Sequence, residues 1–130
     1  MENTPVSIAV CNQKGGVGKS TFTVLLASHL HYTLQRDVLV VDCDYPQWSI
    51  YNQRSRELEI LNLSDYYKLM VARQFKGTDQ KFWPIVSSTP SEALEKTARQ
   101  LQSDYHPQII LYDLPGTVNT CLLYTSDAAD

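Results

Sequence analysis

The sequence predicts an α/β fold: a mostly parallel sheet with helices on both faces. Three observations lead there. Short apolar runs alternate with segments of helical periodicity, the pattern of βαβ units joined by right-handed crossovers. The clearest run is Val-rich and lacks polar alternation, as strands covered on both faces do. Each confident run also ends in a polar loop bearing Gly or Asp, where ligands gather in open sheets of this kind.

Val6-Ser7-Ile8-Ala9-Val10-Cys11, bounded by Pro5 and a Gly-rich turn, reads as a buried strand. From Ser20 to Leu34 the residues Val24, Leu25, Ala27, Leu30 and Leu34 recur at helical spacing. Val38-Leu39-Val40-Val41 is a second strand, too short for a helix. A turn around Pro46 spans Asp44 to Gln47, and a helix is expected over Trp48 to Leu58. Ser64 is placed to cap a helix running to about Phe75, ended by Gly77 and Thr78. Trp83-Pro84-Ile85-Val86 suits an edge strand, because proline is confined to strand starts and edges. Thr89-Pro90 offers an N-cap with proline at the first helical position. The helix that follows, Ser91–Ser103, carries Ala93, Leu94, Ala98 and Leu101 on one face. Ile109-Ile110-Leu111-Tyr112 is the third confident strand and runs into Asp113-Leu114-Pro115-Gly116-Thr117.

The chain has 130 residues, 11 Lys+Arg against 14 Asp+Glu, a net charge of -3 and 43% hydrophobic residues. That is the composition of one globular domain, not of a disordered chain or a membrane span. Mild acidity argues against gripping nucleic acid by bulk positive charge within this stretch. Cys11, Cys43 and Cys121 form an odd set without metal-ligand spacing, so neither a disulfide framework nor a zinc site is expected. No basic, apolar leader opens the sequence, and a cytoplasmic location is the expectation.

The last ten residues, Cys121 to Asp130, resemble the translation of a transposase-type sequencing adaptor. On that reading residues 1–120 are the N-terminal part of a longer domain and residues 121–130 are an artefactual tail. Removing Asp127 and Asp130 takes the acidic count from 14 to 12 and the net charge to 11 − 12 = −1.

The strongest chemical signal is Lys14-Gly15-Gly16-Val17-Gly18-Lys19-Ser20-Thr21, between the first strand and the first helix. Its chance occurrence in a chain this long is on the order of 10⁻⁵. A polyanion needs holding without bulky side chains in the way. Gly15, Gly16 and Gly18 let backbone N–H groups around Val17 turn inward as an anion nest. The helix beginning near Lys19 adds its positive dipole end. Lys19 is then placed for the β- and γ-phosphates, Ser20 for Mg²⁺ and Thr21 for the α-phosphate. This is a P-loop NTPase arrangement in which Gln13 replaces the usual first glycine and Lys14 is an added cation.

Two further strand ends carry acid. Asp42 and Asp44 are spaced so that side-chain alternation along a strand would turn both the same way. Asp113 closes an apolar strand in the manner of a Walker B element, which holds Mg²⁺ through water. Pro115-Gly116-Thr117 then forms a loop able to respond to a γ-phosphate. No His or Cys arrangement competes as a nucleophile: His29 and His31 read as surface or packing residues, and His106 lacks an acidic partner. Tyr66, Tyr67, Phe75, Phe82 and Trp83 read as packing aromatics.

Together these residues resemble the ParA/MinD/Soj family of ATPases with a deviant Walker A loop, over most of residues 6–119. Asn12-Gln13 before the loop and Pro46-Gln47 after the acidic pair are more similar to the DNA-segregating ParA branch. The wording is close to ParA-like proteins of conjugative transposons. One departure is Tyr45, which separates Asp44 from the Pro-Gln that usually follows directly. The resemblance implies ATP and Mg²⁺ as cofactors, and Lys14 as a lysine reaching the partner's phosphates in a nucleotide-sandwich homodimer. It implies Asp44 as the residue positioning the attacking water, and Asp42 as support near Lys14 and the metal. It further implies an ATP-dependent dimer that binds DNA non-specifically through parts beyond this chain, a nucleoid location and a ParB-like partner. The isolated chain is then expected to bind ATP weakly and hydrolyse essentially none. The alternatives are a MinD-like regulator, which needs a downstream membrane-binding helix, and a related P-loop synthetase or metal-centre reductase.

Overall fold

The computed structural model of the chain describes residues 4–11, 18–77 and 81–115. Its elements are β1 (Val6–Val10), α1 (Lys19–Ser28), β2 (Val38–Asp42), α2 (Ser49–Leu63), α3 (Asp65–Gln74), β3 (Ile85–Ser87), α4 (Ala93–Leu101) and β4 (Ile109–Asp113). The strands form one sheet in the order β1-β4-β2-β3, and every neighbouring pair is parallel. The α/β fold with helices on both faces is therefore present. Crossover helices demand parallel pairing, and the apolar strands β2, rich in Val, and β4, rich in Ile and Leu, fill the two central positions.

Alternation along the strands builds two cores. Val38, Val40 and Leu111 pack with Ala27, Ile50 and Trp83 under α1 and α2. Leu39, Val41, Ile110 and Tyr112 pack with Ala93 and Leu114 under α4. β2 is buried along its whole length, as its unbroken apolar run requires. β3 is the edge, with Pro84 immediately before it, and the Pro84 carbonyl accepts the Val40 N–H at 3.1 Å.

Two helix faces differ from expectation, for one physical reason. In α1 the most deeply buried positions are Thr23 and Ala27; Val24 and Leu30 pack at the margin, while Leu25 is 65% exposed and Leu34 lies outside as well. In α4 Ala93 and Thr97 are buried, whereas Leu94 and Ala98 face outward. Small side chains four residues apart let a helix approach the sheet closely, so they outcompete larger apolar residues for the contact. The start of α4 also shifts. Thr89 and Pro90 lie in a turn closed by the Glu92 N–H on the Thr89 carbonyl at 3.2 Å, and the helix begins at Ala93.

Other boundaries follow the local chemistry. The Ser64 hydroxyl accepts the Tyr67 N–H at 3.3 Å and caps α3, as its position predicted. Beyond α3 the backbone turns at Gly77, with φ of 79°; Thr78 lies outside the described residues. α2 runs to Leu63, five residues past the expected end at Leu58. After α1 the chain widens into a π-helical stretch over His29–Thr33, which carries His31 inside. There the His31 Nδ1 accepts the Val38 N–H at 3.2 Å and Nε2 meets the Lys81 carbonyl at 2.7 Å, a packing role. Cys43 is buried with its thiol on the Val41 carbonyl at 3.7 Å, while Cys11 is disulfide-bonded, a pairing that the cysteine spacing did not predict.

Leu111 lies wholly inside and Leu94 is 44% exposed. Leu111→Ala should therefore lower the unfolding free energy by about 2–5 kcal/mol, and Leu94→Ala by no more than about 0.5 kcal/mol. Urea denaturation of both variants checks this; equal losses would contradict the burial pattern.

Candidate functional site

The site grows from the register of the sheet. Val10, Asp113, Asp42 and Ser87 form one row across all four strands at their carboxyl ends. Asp42 shares its face with Val38 and Val40, and Asp113 with Ile109 and Leu111, so both carboxylates turn toward α1 and α2. Both residues have no solvent exposure. Two acids side by side in a dry place require a cation or hydrogen bonds.

Lys19, the first residue of α1, supplies the cation. Its ammonium is buried, hydrogen-bonds Asp113 Oδ1 and lies 3.9 Å from Asp44 Oδ2. The helix is brought to this point by Gly18, whose φ of 134° places it where side-chain-bearing residues are strained. The Phe22 N–H then bonds the Gly18 carbonyl at 2.7 Å to close the first turn. Ser20 is half-buried beside Lys19, and Thr21 points outward.

Asp42 has a local role that its sequence position did not reveal. Its Oδ1 accepts the Asp44 N–H at 3.2 Å and its Oδ2 accepts the Tyr51 N–H at 3.0 Å. The second bond caps the first turn of α2, whose own N-cap residue, Trp48, is left-handed at φ 42° and gives no side-chain cap. Asp44 sits in the turn after β2 rather than on the strand. Turn geometry, not strand alternation, thus brings it beside Lys19. The Tyr45–Pro46 peptide is cis, and Tyr45 packs edge-on against Trp48 at 5.2 Å. Pro46 and Gln47 are exposed in the same turn.

Asp113 Oδ2 is buried and has no hydrogen-bond partner among the described residues. Burial pushes the Asp113 carboxyl up to about 6. The Lys19 contact pulls it down, and the charges of Asp42 and Asp44 push it up again. Burial raises Asp42 too, against its two N–H donors. Among the described residues no group of three His, Cys, Asp or Glu side chains is placed to hold a metal by itself. Lys14, Gly15, Gly16 and Val17 lie outside the described residues, as do Asn12, Gln13, Gly116, Thr117 and residues 121–130.

An ammonium at a helix N-terminus, aimed at the carboxyl ends of a parallel sheet beside three acids, is the architecture of a nucleotide site. Residues 8–121 match the CbiA family, the CobQ/CobB/MinD/ParA nucleotide binding domain. The chain belongs to this family. No curated protein matched the chain. The matched region covers the glycine-rich segment, the acidic turn and Asp113 together, so this CbiA-family chain carries a nucleotide-binding domain. Among the described residues no helix is long and apolar enough to cross a membrane.

The acid cluster has a testable signature. Asp113 titrates from 3.8 unfolded to about 6 folded, so the folded state binds more protons between those values. Its contribution to stability is then largest below that window and falls as pH rises through it; Asp42 acts in the same direction. Asp113→Asn should flatten the decline. Urea unfolding at intervals from pH 4 to pH 7 measures it, and an unchanged slope in the variant would contradict the assignment.

Proposed function

We propose that this chain is the nucleotide-binding part of a partition-type ATPase of the ParA kind, close to those of conjugative transposons. The observation that carries the reading is Lys19 at the start of α1, held on buried Asp113 and beside Asp44. A lysine serving only stability would gain little from such a place. Replacing a buried ion pair with apolar side chains often leaves a protein as stable or more so. The arrangement is a cation kept ready for an anion that competes with Asp113.

On this reading Lys19 exchanges the Asp113 carboxylate for β- and γ-phosphate oxygens. Gly15, Gly16, Val17, Gly18 and Thr21 enclose the phosphates with main-chain and hydroxyl donors. The orphaned Oδ2 of Asp113, the carboxylate of Asp42 and the Ser20 hydroxyl fit the hard oxygen set that Mg²⁺ takes, with water between ion and acid. Bound Mg²⁺ would supply neutralisation of the phosphate charge. Asp44, half-buried and free of the helix-capping duty of Asp42, orients the attacking water. Lys14 reaches across a homodimer to the partner's phosphates, which ties hydrolysis to association. The ATP-bound dimer holds DNA through surfaces outside this chain, and a ParB-like protein stimulates hydrolysis.

ATP titrated calorimetrically, with and without Mg²⁺, tests the core of the proposal. Uptake should depend on Mg²⁺ and weaken at least tenfold in Lys19→Ala, which removes a charge-assisted contact of about 1.5–3 kcal/mol. Binding that ignores both changes would defeat it. DNA binding in ATP should fall linearly in log affinity with log salt concentration, and salt-insensitive binding would remove the partition role.

A further inference from the structure

A cavity of about 550 Å³ lies between α1, α2, α3 and the segment entering β3. It shares no lining residue with the Lys19–Asp113 cluster. Its walls are apolar: Ile50, Leu61, Val71, Phe82 and Trp83 among them. The volume lies within the roughly 300–1,000 Å³ of small-molecule pockets.

Arg54 lines this apolar space and makes no ion pair among the described residues. Arg54 stacks on Trp83, with its guanidinium carbon 4.2 Å from the ring centroid, and Nη1 donates to the Trp83 carbonyl at 2.7 Å. The guanidinium has five N–H donors, and among the described residues this is its one hydrogen bond and it makes no ion pair. Glu57 also lines the cavity; its carboxylate accepts from Gln53 Nε2 at 3.0 Å and acts on Arg54 from beyond ion-pair distance. Burial lowers the Arg54 pKa, with Tyr32 and Glu57 acting the other way.

We infer that this cavity binds a small amphipathic organic anion. A carboxylate is held by the free edge of the Arg54 guanidinium, and an aromatic or alkyl body lies against Ile50, Leu61, Val71 and Phe82. Two features select that class. The planar donor fork matches a carboxylate, and the stack on Trp83 fixes its plane and leaves its edge open. The apolar walls reward a hydrocarbon body and penalise a hydrophilic anion such as a nucleotide.

Two probes that differ only in the head group test the inference: 4-phenylbutyrate and 4-phenylbutanol, titrated calorimetrically into the full chain. The carboxylate should bind at least tenfold more tightly. Arg54→Gln should abolish that preference and Arg54→Lys should keep part of it. Val71→Trp, which fills the cavity without touching the guanidinium, should weaken both probes. Millimolar ATP should not displace the carboxylate, so this result stands or falls apart from the nucleotide site. Equal binding of the two probes, binding of neither, a preference that survives Arg54→Gln, or displacement by ATP would each overturn it.

Discussion

The structure depends on one electrostatic constraint: two acids end adjacent central strands in the same register row, and both are shut off from water. A single buried carboxylate already costs several kcal/mol unless it is paired. Lys19 answers Asp113 directly, and backbone N–H groups answer Asp42. Each answer fixes an element. The ammonium draws the N-terminus of α1 over the end of β4, and the Tyr51 N–H draws the N-terminus of α2 over the end of β2. Two positive helix ends therefore converge on one acidic row. Packing alone would allow either helix to slide along the sheet; the buried charges do not.

This constraint also explains why Asp42 and Asp44, two residues apart, have separate duties. Asp42 is buried with both oxygens bound to N–H groups, which leaves it rigid. Asp44 keeps partial access to solvent and only a long contact with Lys19. On the proposed reading Asp44 would reach the water it orients, whereas Asp42, which fixes a helix, is out of it. The turn that follows the pair is held by Tyr45 against Trp48 and by the Trp48 indole, which donates to the Ser88 carbonyl at 2.8 Å.

The legible part of the fold was the part governed by short-range rules. Val38–Val41 and Ile109–Tyr112 read as buried strands because nothing in them suits a surface, and Ser64 read as a cap because its duty is three residues away. The faces of α1 and α4 were less legible. Thr23, Ala27, Ala93 and Thr97 are buried because they are small enough for close helix–sheet contact, a property of the partner surface and not of helical period. In α4 a polar link reinforces the choice. The Tyr112 hydroxyl bonds Thr97 Oγ1 at 3.1 Å, so a threonine holds a place that hydropathy would give to a leucine. The capping of α2 by Asp42 was hidden for a similar reason, since donor and acceptor meet only after the chain has turned through Pro46.

The aromatic residues carry the same lesson further. Read along the chain, Tyr66, Tyr67, Phe75, Phe82 and Trp83 are packing residues, and Trp83 is indeed buried, with Phe75 edge-on to Phe82 at 5.3 Å. Yet α3 buries none of its residues, and Tyr66, Leu69 and Met70 remain exposed. The helix is held at its ends and along one margin, so a cavity stays open beneath it. A packed core would have closed over Trp83 with another apolar side chain. Here Arg54 covers the indole instead, and a guanidinium over a ring excludes water from its face while keeping its own edge polar. The cavity is thus apolar because of what lines it, and selective because the residue that covers its floor cannot lose its charge.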